Sequence, residues 1–200
     1  MKYNIYWIPL LFLFSFLNDN RAQSPTSTNK KYIQNNIKLD FDSLNTWLHK
    51  PLPSFSAVTI EGDSVHLSDL KGKRIVLNLW LTKCAPCIWE IPHLNKLKEY
   101  YASQNVVFIS MTPEDKDTAI KFVREKKFTF PVIANYQKYI SQFISSYPET
   151  IFVNSKGYIK AIKGSIPINL ELAPQDLGAE FDMSEVMDLA DFFQIIDELE

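Results

Sequence analysis

The spacing of apolar residues changes repeatedly along the chain and predicts strands that alternate with helices. Apolar and polar positions alternate on both sides of residues 61–64, which predicts a β-hairpin from Ala57 to Leu67. An almost continuous apolar run, Ile75 to Leu81, predicts a central strand that is buried on both faces. From Cys84 to Tyr101 apolar residues recur at helical spacing, so a strand gives way to a helix at the cysteines.

The next segment repeats this order of strand and helix. Asn105 to Met111 is apolar and β-branched, and Thr112, Pro113 and Asp115 supply an N-cap, a first-turn proline and an acidic third position. We therefore expect a strand followed by a helix that continues to about Lys126. Strands that alternate with helices are typical of an α/β fold with parallel crossovers.

The C-terminal part is predicted to complete the sheet and to cover it with a last helix. Two strands flanking a Gly-containing turn predict a second hairpin, and an acidic cap at Asp182 predicts the final helix. Residues 165–183 contain two prolines and no period, and we interpret them as an inserted loop. The remaining expected elements are a strand at 130–134, a helix at 136–144, and the hairpin strands at 150–153 and 158–162.

The first 22 residues have the pattern of a secretory signal peptide. Lys2 precedes an apolar run of thirteen residues, Ile5 to Leu17, and a polar segment ends at Ala22. Because a membrane-spanning helix takes roughly 20 residues, cleavage and a soluble exported protein are expected. An uncleaved segment would anchor the protein in the membrane. We expect a flexible linker at 23–36 and one domain at 37–200.

Composition sets further bounds on the class of protein. The chain has 200 residues, of which 46% are hydrophobic, and this suits one globular domain. The formal net charge is −2, so no basic surface indicates a nucleic-acid partner. We expect a monomer that binds no nucleic acid.

The segment Cys84-Ala85-Pro86-Cys87 lies where the central strand is predicted to pass into a helix. Free amides and the positive end of the dipole at a helix N-terminus stabilise a thiolate at Cys84, and Lys83 adds positive charge. Pro86 is tolerated in the first turn, and the spacing lets Cys87 attack a mixed disulfide on Cys84. We therefore predict that Cys84 is the nucleophile and Cys87 the resolving thiol.

A metal site is the competing interpretation of the cysteine pair. Zinc takes four ligands, and the sequence offers no second cysteine pair and only His49, His66 and His93. No metal is therefore expected. A purely structural disulfide is also a poor explanation, because so small a ring restrains little of the unfolded chain.

Two other features lie near the cysteines in the predicted fold. Glu90 follows Cys87 by three residues and could accept its proton, although a solvated helix glutamate fits the sequence equally well. Tyr147-Pro148 precedes an apolar strand, where proline permits a special turn with either a cis or a trans bond. Trp80 should lie beneath the cysteine helix. The expected substrate-binding residues are Trp80, Lys83, Pro86, Tyr147 and Pro148.

These motifs together resemble the TlpA/ResA-like branch of the thioredoxin superfamily, with a domain of the AhpC/TSA or redoxin type. The resemblance rests on five motifs and runs from about Leu52 to Tyr158. The motifs are Pro53-Ser54-Phe55, residues 67–73, Leu77-Asn78-Leu79-Trp80, the cysteine segment with Glu90 and Pro92, and Tyr147-Pro148-Glu149-Thr150 followed by Gly157.

The resemblance implies a thioredoxin fold, in which helices flank a central mixed β-sheet, with an N-terminal hairpin extension and a C-terminal helix. It implies that Pro148 is cis beside the disulfide and that Glu90 is the acid-base group, because Asn78 stands where thioredoxin has a buried acid. Lys83 departs from the family, which often has tryptophan there, and the 165–183 segment is longer than the usual tail.

The function that follows is an exported, periplasmic thiol-disulfide oxidoreductase, with the Cys84–Cys87 disulfide in place of a cofactor. The dipeptide Ala85-Pro86 is similar to that of reducing members, so we expect a reductase of protein disulfides that receives electrons from a membrane-bound donor. One alternative is a thiol peroxidase, although Leu81 stands where peroxiredoxins have threonine or serine. The other is a non-enzymatic binding module that uses the 165–183 loop.

Overall fold

A five-stranded mixed sheet forms the centre of the fold. The computed structural model describes residues 46–144, 146–167 and 187–200, all within one unit, Leu39–Glu200. The predicted signal peptide, linker and domain start, and most of the 165–183 loop, lie outside these residues. The strands are β1 (Ser56–Val58), β2 (Ser64–His66), β3 (Arg74–Leu79), β4 (Val106–Met111), β5 (Val132–Ile133), β6 (Glu149–Val153) and β7 (Ile159–Lys163).

The sheet has the strand order β5-β4-β3-β6-β7. β4 runs parallel to both β3 and β5, whereas β6 is antiparallel to β3 and β7. The expected α/β architecture with a central mixed sheet is therefore confirmed. In β3, every residue from Ile75 to Leu79 is buried, as the apolar run predicts for a central strand.

Helices pack on both faces of this sheet. The helices are α1 (Ala85–Tyr100), α2 (Lys116–Lys126), α3 (Gln137–Ile140) and α4 (Ala190–Asp197). Residues of α1, α2 and α4 form one apolar cluster with Val76 and Trp80, and residues of α3 form another with Leu77 and Leu79. Because successive side chains of a strand point to opposite faces, Asn78 shares the α1 face with Val76 and Trp80.

The N-terminal hairpin is confirmed as a separate two-stranded sheet. β1 and β2 pair antiparallel, and Ala57 lies opposite Val65. Gly62 occupies the connecting turn with a φ of 104°, a left-handed conformation that glycine adopts without a steric penalty. No described helix is both long and apolar enough to span a membrane.

The predicted cap of α2 at Thr112 is wrong. The helix begins three residues later, where Asp115 is the N-cap and its carboxylate accepts a hydrogen bond from the N–H of Thr118 at 2.9 Å. The N–H of Thr112 instead bonds the carbonyl of Ile133 and continues the pairing of β4 with β5. Threonine and aspartate are both good N-cap residues, but the backbone at Thr112 is still extended and paired with β5, so Asp115 is the cap.

The C-terminal helix is present, but its described part begins at Ala190. The predicted cap at Asp182 lies outside the described residues, and Leu189 is the N-cap, with no side-chain cap hydrogen bond. The start of the predicted 165–183 loop is partly buried, unlike a loop that lies wholly on the surface. Ile166 is 1% exposed and belongs to the apolar cluster on the α1 face.

Tyr101, at the C-cap of α1, forms hydrogen bonds with α4. Its hydroxyl donates to the Asp197 carboxylate at 2.7 Å and lies 3.3 Å from the carbonyl of Phe193. We predict that Tyr101→Phe lowers the free energy of unfolding by about 1–2 kcal/mol in urea titrations, because a half-buried hydrogen bond to a carboxylate is lost. Tyr100→Phe is the control, since that side chain is exposed, and an equal loss in both variants would contradict this role.

Candidate active site

The two cysteines form a disulfide at the N-terminus of α1. Cys84 is the N-cap, and its sulfur lies 3.2 Å from the N–H of Cys87. That amide is one of the free donors of a helix N-terminus, so it is placed to stabilise a Cys84 thiolate after reduction. The two sulfurs differ in access, since Cys84 is half-buried and Cys87 is 2% exposed. This difference agrees with the predicted nucleophilic and resolving roles.

The loop that leads to Cys84 is fixed by Glu114, a residue that the sequence did not single out. The Glu114 carboxylate accepts hydrogen bonds from the Thr82 hydroxyl at 2.7 Å and from the Thr82 N–H at 3.1 Å. The carbonyl of Glu114 also accepts from the N–H of Asn135. One residue thus joins the loop before Cys84 to two loops that follow sheet strands.

Glu90 lies in the core rather than in solvent. Its side chain is 0% exposed, and its Oε1 accepts a hydrogen bond from the Asn78 amide at 2.9 Å. The same Asn78 amide nitrogen donates to the Thr150 hydroxyl at 3.0 Å, so α1, β3 and β6 meet at this point. The second carboxyl oxygen lies 3.4 Å from the N–H of Ile166. The structure thus excludes a solvated helix glutamate at this position.

Burial raises the pKa of Glu90 to about 8, despite the hydrogen bonds from Asn78 and Ile166, which lower it. This value is close to the ordinary pKa of a cysteine thiol, about 8.5. A proton can therefore pass between Glu90 and a thiol at little cost in free energy. The geometry of a helix places Glu90 one turn after Cys87.

The turn before β6 contains the proline that the resemblance singles out. The Tyr147-Pro148 peptide is cis, as expected, and Pro148 is buried at the start of the strand. Tyr147 is half-buried, and burial raises its pKa, with smaller contributions from the negative charges of Glu149 and Glu114. Two carboxylates therefore lie within electrostatic reach of this turn.

The other expected substrate-binding residues differ in exposure. Lys83 is exposed and Pro86 is half-buried in the first turn of α1, so both can meet a partner molecule. Trp80 is 2% exposed and stacks on Phe122 with ring centroids 4.7 Å apart. This burial does not support a contact with substrate, and Trp80 instead supports the helix from the core.

The described part of the chain contains no group of three or more histidine, cysteine, aspartate or glutamate side chains placed to hold a metal ion. The reactive groups of the site are the Cys84–Cys87 disulfide and the buried carboxyl of Glu90. Together they can exchange two electrons and two protons with a second dithiol or disulfide.

The family model described as the AhpC/TSA family matches residues 48–162, which is more than half of the chain. The chain belongs to the AhpC/TSA family. The matched range includes the central strand, the disulfide, Glu90 and the cis-proline turn.

Curated relatives of this AhpC/TSA-family chain carry names of thiol-disulfide chemistry. Thiol-disulfide oxidoreductase ResA of Bacillus anthracis is 34% identical over 113 residues, which cover 55% of this chain and 65% of the relative. Thioredoxin-like protein YneN of Bacillus subtilis is 34% identical over 114 residues, covering 55% and 67%. The chain is thus ResA-like, and it spans about two-thirds of the length of these relatives.

Solved structures show the thioredoxin fold of this AhpC/TSA-family chain. A thiol:disulfide interchange protein of the thioredoxin family from Chlorobium tepidum superposes with a TM-score of 0.56 at 22% identity, covering 74% of this chain and 94% of that one. The thioredoxin domain of a thiol-disulfide oxidoreductase from Bacteroides vulgatus has a TM-score of 0.54 at 22% identity, covering 59% and 89%. The fold that the sequence motifs implied is confirmed.

Glu90 makes the stability of this AhpC/TSA-family protein depend on pH. Its pKa rises from 4.5 to about 8 on folding, so between these values the folded state holds a proton that the unfolded state has released. The stability that protonated Glu90 contributes to the folded state is therefore fully present below pH 4.5 and is lost as the pH rises through 8. We predict that wild type loses on the order of a few kcal/mol more than Glu90→Gln between about pH 5 and about pH 9.

Urea unfolding of both oxidised proteins across this pH range measures the difference. Glu99→Gln is the matched control, because Glu99 is an exposed glutamate on the same helix. Parallel stability curves for wild type and Glu90→Gln would contradict the raised pKa.

Proposed function

We propose that this protein is a thiol-disulfide oxidoreductase that exchanges its Cys84–Cys87 disulfide with protein substrates. The observation that carries the proposal is the disulfide at a helix N-terminus, with one half-buried and one buried cysteine and a buried carboxyl one helical turn later. The names of the ResA and YneN relatives support the same chemistry.

The reaction begins with the reduced pair. The Cys84 thiolate attacks one sulfur of a substrate disulfide, and the other substrate sulfur leaves as a thiolate and takes up a proton. Cys87 then loses its proton and attacks the Cys84 sulfur. The mixed disulfide breaks, the substrate leaves with its second thiol, and the Cys84–Cys87 disulfide forms. Two electrons and two protons pass to the substrate.

Glu90 serves as the acid-base group for Cys87. When Cys87 attacks, the carboxylate accepts the thiol proton; when a donor reduces the disulfide, the carboxyl returns a proton to the leaving Cys87 thiolate. A pKa of about 8 keeps Glu90 protonated at neutral pH in the oxidised protein, which suits the second of these steps. The raised pKa thus means that the oxidised protein already holds the proton that Cys87 needs when an electron donor reduces the disulfide.

The direction and place of the reaction follow from the sequence. The Ala85-Pro86 dipeptide favours a reductase, and the signal peptide favours export to the periplasm. A reductase in an oxidising compartment needs electrons from across the membrane, so a membrane-bound donor completes the proposal. The protein substrates would meet Lys83, Pro86 and Tyr147 around the half-buried Cys84, next to the buried cis-proline Pro148.

We predict that Cys84→Ser abolishes the reduction of insulin disulfides, because no sulfur remains to attack the substrate. Cys87→Ser should retain the attack but stop after it, and a mixed disulfide with the substrate should accumulate. Mass spectrometry after mixing with insulin measures both results, and the same trap identifies natural substrates.

Other outcomes would favour the alternatives. Insulin reduction that is unchanged in Cys84→Ser would overturn the proposal. Consumption of peroxide without exchange activity would indicate the thiol peroxidase, and partner binding that persists without either cysteine, again without exchange, would indicate a binding module.

We predict that Glu90→Gln slows release of the mixed disulfide by on the order of 100-fold, because glutamine cannot accept the Cys87 proton. The variant should also lose the part of the pH dependence that reports the Glu90 titration. Stopped-flow measurement of substrate release across pH tests both effects. Glu99→Gln should match wild type, and equal release rates for wild type and Glu90→Gln at every pH would remove Glu90 from the mechanism.

A further inference from the structure

The four residues after β7, Gly164 to Pro167, lie across the buried carboxyl of Glu90, and we name them the cover segment. The N–H of Ile166 faces Glu90 Oε2 at 3.4 Å, and the Ile166 side chain is 1% exposed. At the other end of the segment, a Cβ on Gly164 would lie 3.9 Å from the carbonyl oxygen of Pro148. The cover segment therefore extends from the cis-proline turn to the acid-base group.

Contacts on two sides hold the cover segment in place. Ile166 belongs to the same apolar cluster as Cys87, Met187 and Phe192. The carbonyl of Pro167 accepts a hydrogen bond from the N–H of Asp188 at 2.8 Å. Ile166 is thus part of the core, whereas Gly164, Ser165 and Pro167 are exposed. The position of Ile166 beside Glu90 is fixed by packing as well as by its hydrogen bond to the carboxyl.

The elements around Glu90 supply few charges. β3 contributes the neutral Asn78, α1 contributes Cys87 in its disulfide, and β6 contributes Thr150, with Glu149 one residue before it. The cover segment has no titratable side chain, and Lys163 at the end of β7 precedes it. The protonation of Glu90 is therefore governed mainly by burial and by hydrogen-bond donors.

These two influences act in opposite directions. Both hydrogen bonds to Glu90 come from N–H donors, which favour the carboxylate, whereas exclusion of water favours the neutral carboxyl. Ile166 contributes to each, because its N–H is one of the donors and its side chain is part of the apolar surroundings.

We propose that Ile166 is a positioning residue for the exchange reaction, which excludes water from Glu90 with its side chain and orients the carboxyl with its N–H. The inference rests on the proposed function, in which Glu90 exchanges a proton with Cys87. The segment after β7 then sets the pH range in which that proton can move, and the buried Ile166 acts through Glu90.

The experiment titrates Glu90 directly in the oxidised protein, by infrared absorption of its carboxyl group, with the Glu90→Gln spectrum subtracted. In wild type the midpoint is expected at about pH 8. Ile166→Ala keeps the N–H but admits water, so its midpoint should fall by about one pH unit or more. Ile166→Pro also shortens the side chain and removes the donor, so its midpoint should lie above that of Ile166→Ala.

Ile196→Ala is the matched control, because Ile196 is equally buried in the same cluster but lies on α4. Its Glu90 midpoint should equal that of wild type. An unchanged midpoint in Ile166→Ala, or an equal shift in Ile196→Ala, would overturn the proposal. The midpoints of Ile166→Ala and Ile196→Ala test the proposal even if Ile166→Pro does not fold.

Insulin reduction is measured on the same samples and separates the two proposals. Wild type without exchange activity would defeat the proposed function while leaving the Glu90 titration interpretable. Normal exchange with an unmoved midpoint in Ile166→Ala would defeat the role of the cover segment alone.

Discussion

The hydrogen bonds of the Asn78 amide are the interaction on which the site depends. Asn78 lies near the C-terminal end of the central strand, and its amide nitrogen donates both to Glu90 on α1 and to Thr150 on β6. A buried amide and a buried carboxyl are each costly when unpaired, so each stabilises the position of the other. The helix that carries the disulfide is thereby held in a fixed position against the sheet.

This arrangement explains how a core can contain an ionisable group and remain stable. A neutral carboxyl needs far less compensation than a carboxylate in the same surroundings, and burial keeps Glu90 neutral over most of the physiological pH range. The group is thus stable in the form that can give a proton to Cys87, and ionisation costs folding free energy. In the proposed function, acid-base chemistry and stability are coupled through this one side chain.

Much of this site could be predicted from the sequence, because its parts are local. The strand-to-helix change at Cys84, the two-residue gap to Cys87 and the further helical turn to Glu90 are all readable as spacing. The burial of Glu90 was not readable, since a helical glutamate is usually solvated. It depends on Asn78, twelve residues earlier, and on Ile166, 76 residues later.

The features that sequence reasoning missed share this long-range character. Glu114 reaches Thr82 across 32 residues, and no periodic pattern marks a carboxylate that accepts from a loop rather than from its own helix. At Thr112 the local signal was present but misleading, because the backbone there still continues the pairing of β4 with β5 and the helix begins only after it. Local propensity decides where an element can begin, and tertiary hydrogen bonds decide where it does.

The segment after β7 shows why a tail can matter to chemistry that lies elsewhere in the sequence. The disulfide at the helix N-terminus is reached from solvent at Cys84, whereas Cys87 and Glu90 are buried. Residues from other parts of the chain must therefore exclude water from Cys87 and Glu90. The β6–β7 pairing brings Lys163 opposite Thr150, and the chain that continues from β7 then passes over Glu90. Ile166 both excludes water from the carboxyl and supplies one of its hydrogen-bond donors. In the proposed mechanism, a substitution in this segment can therefore change the pH range of proton transfer while the cysteines, the helix and the sheet stay the same.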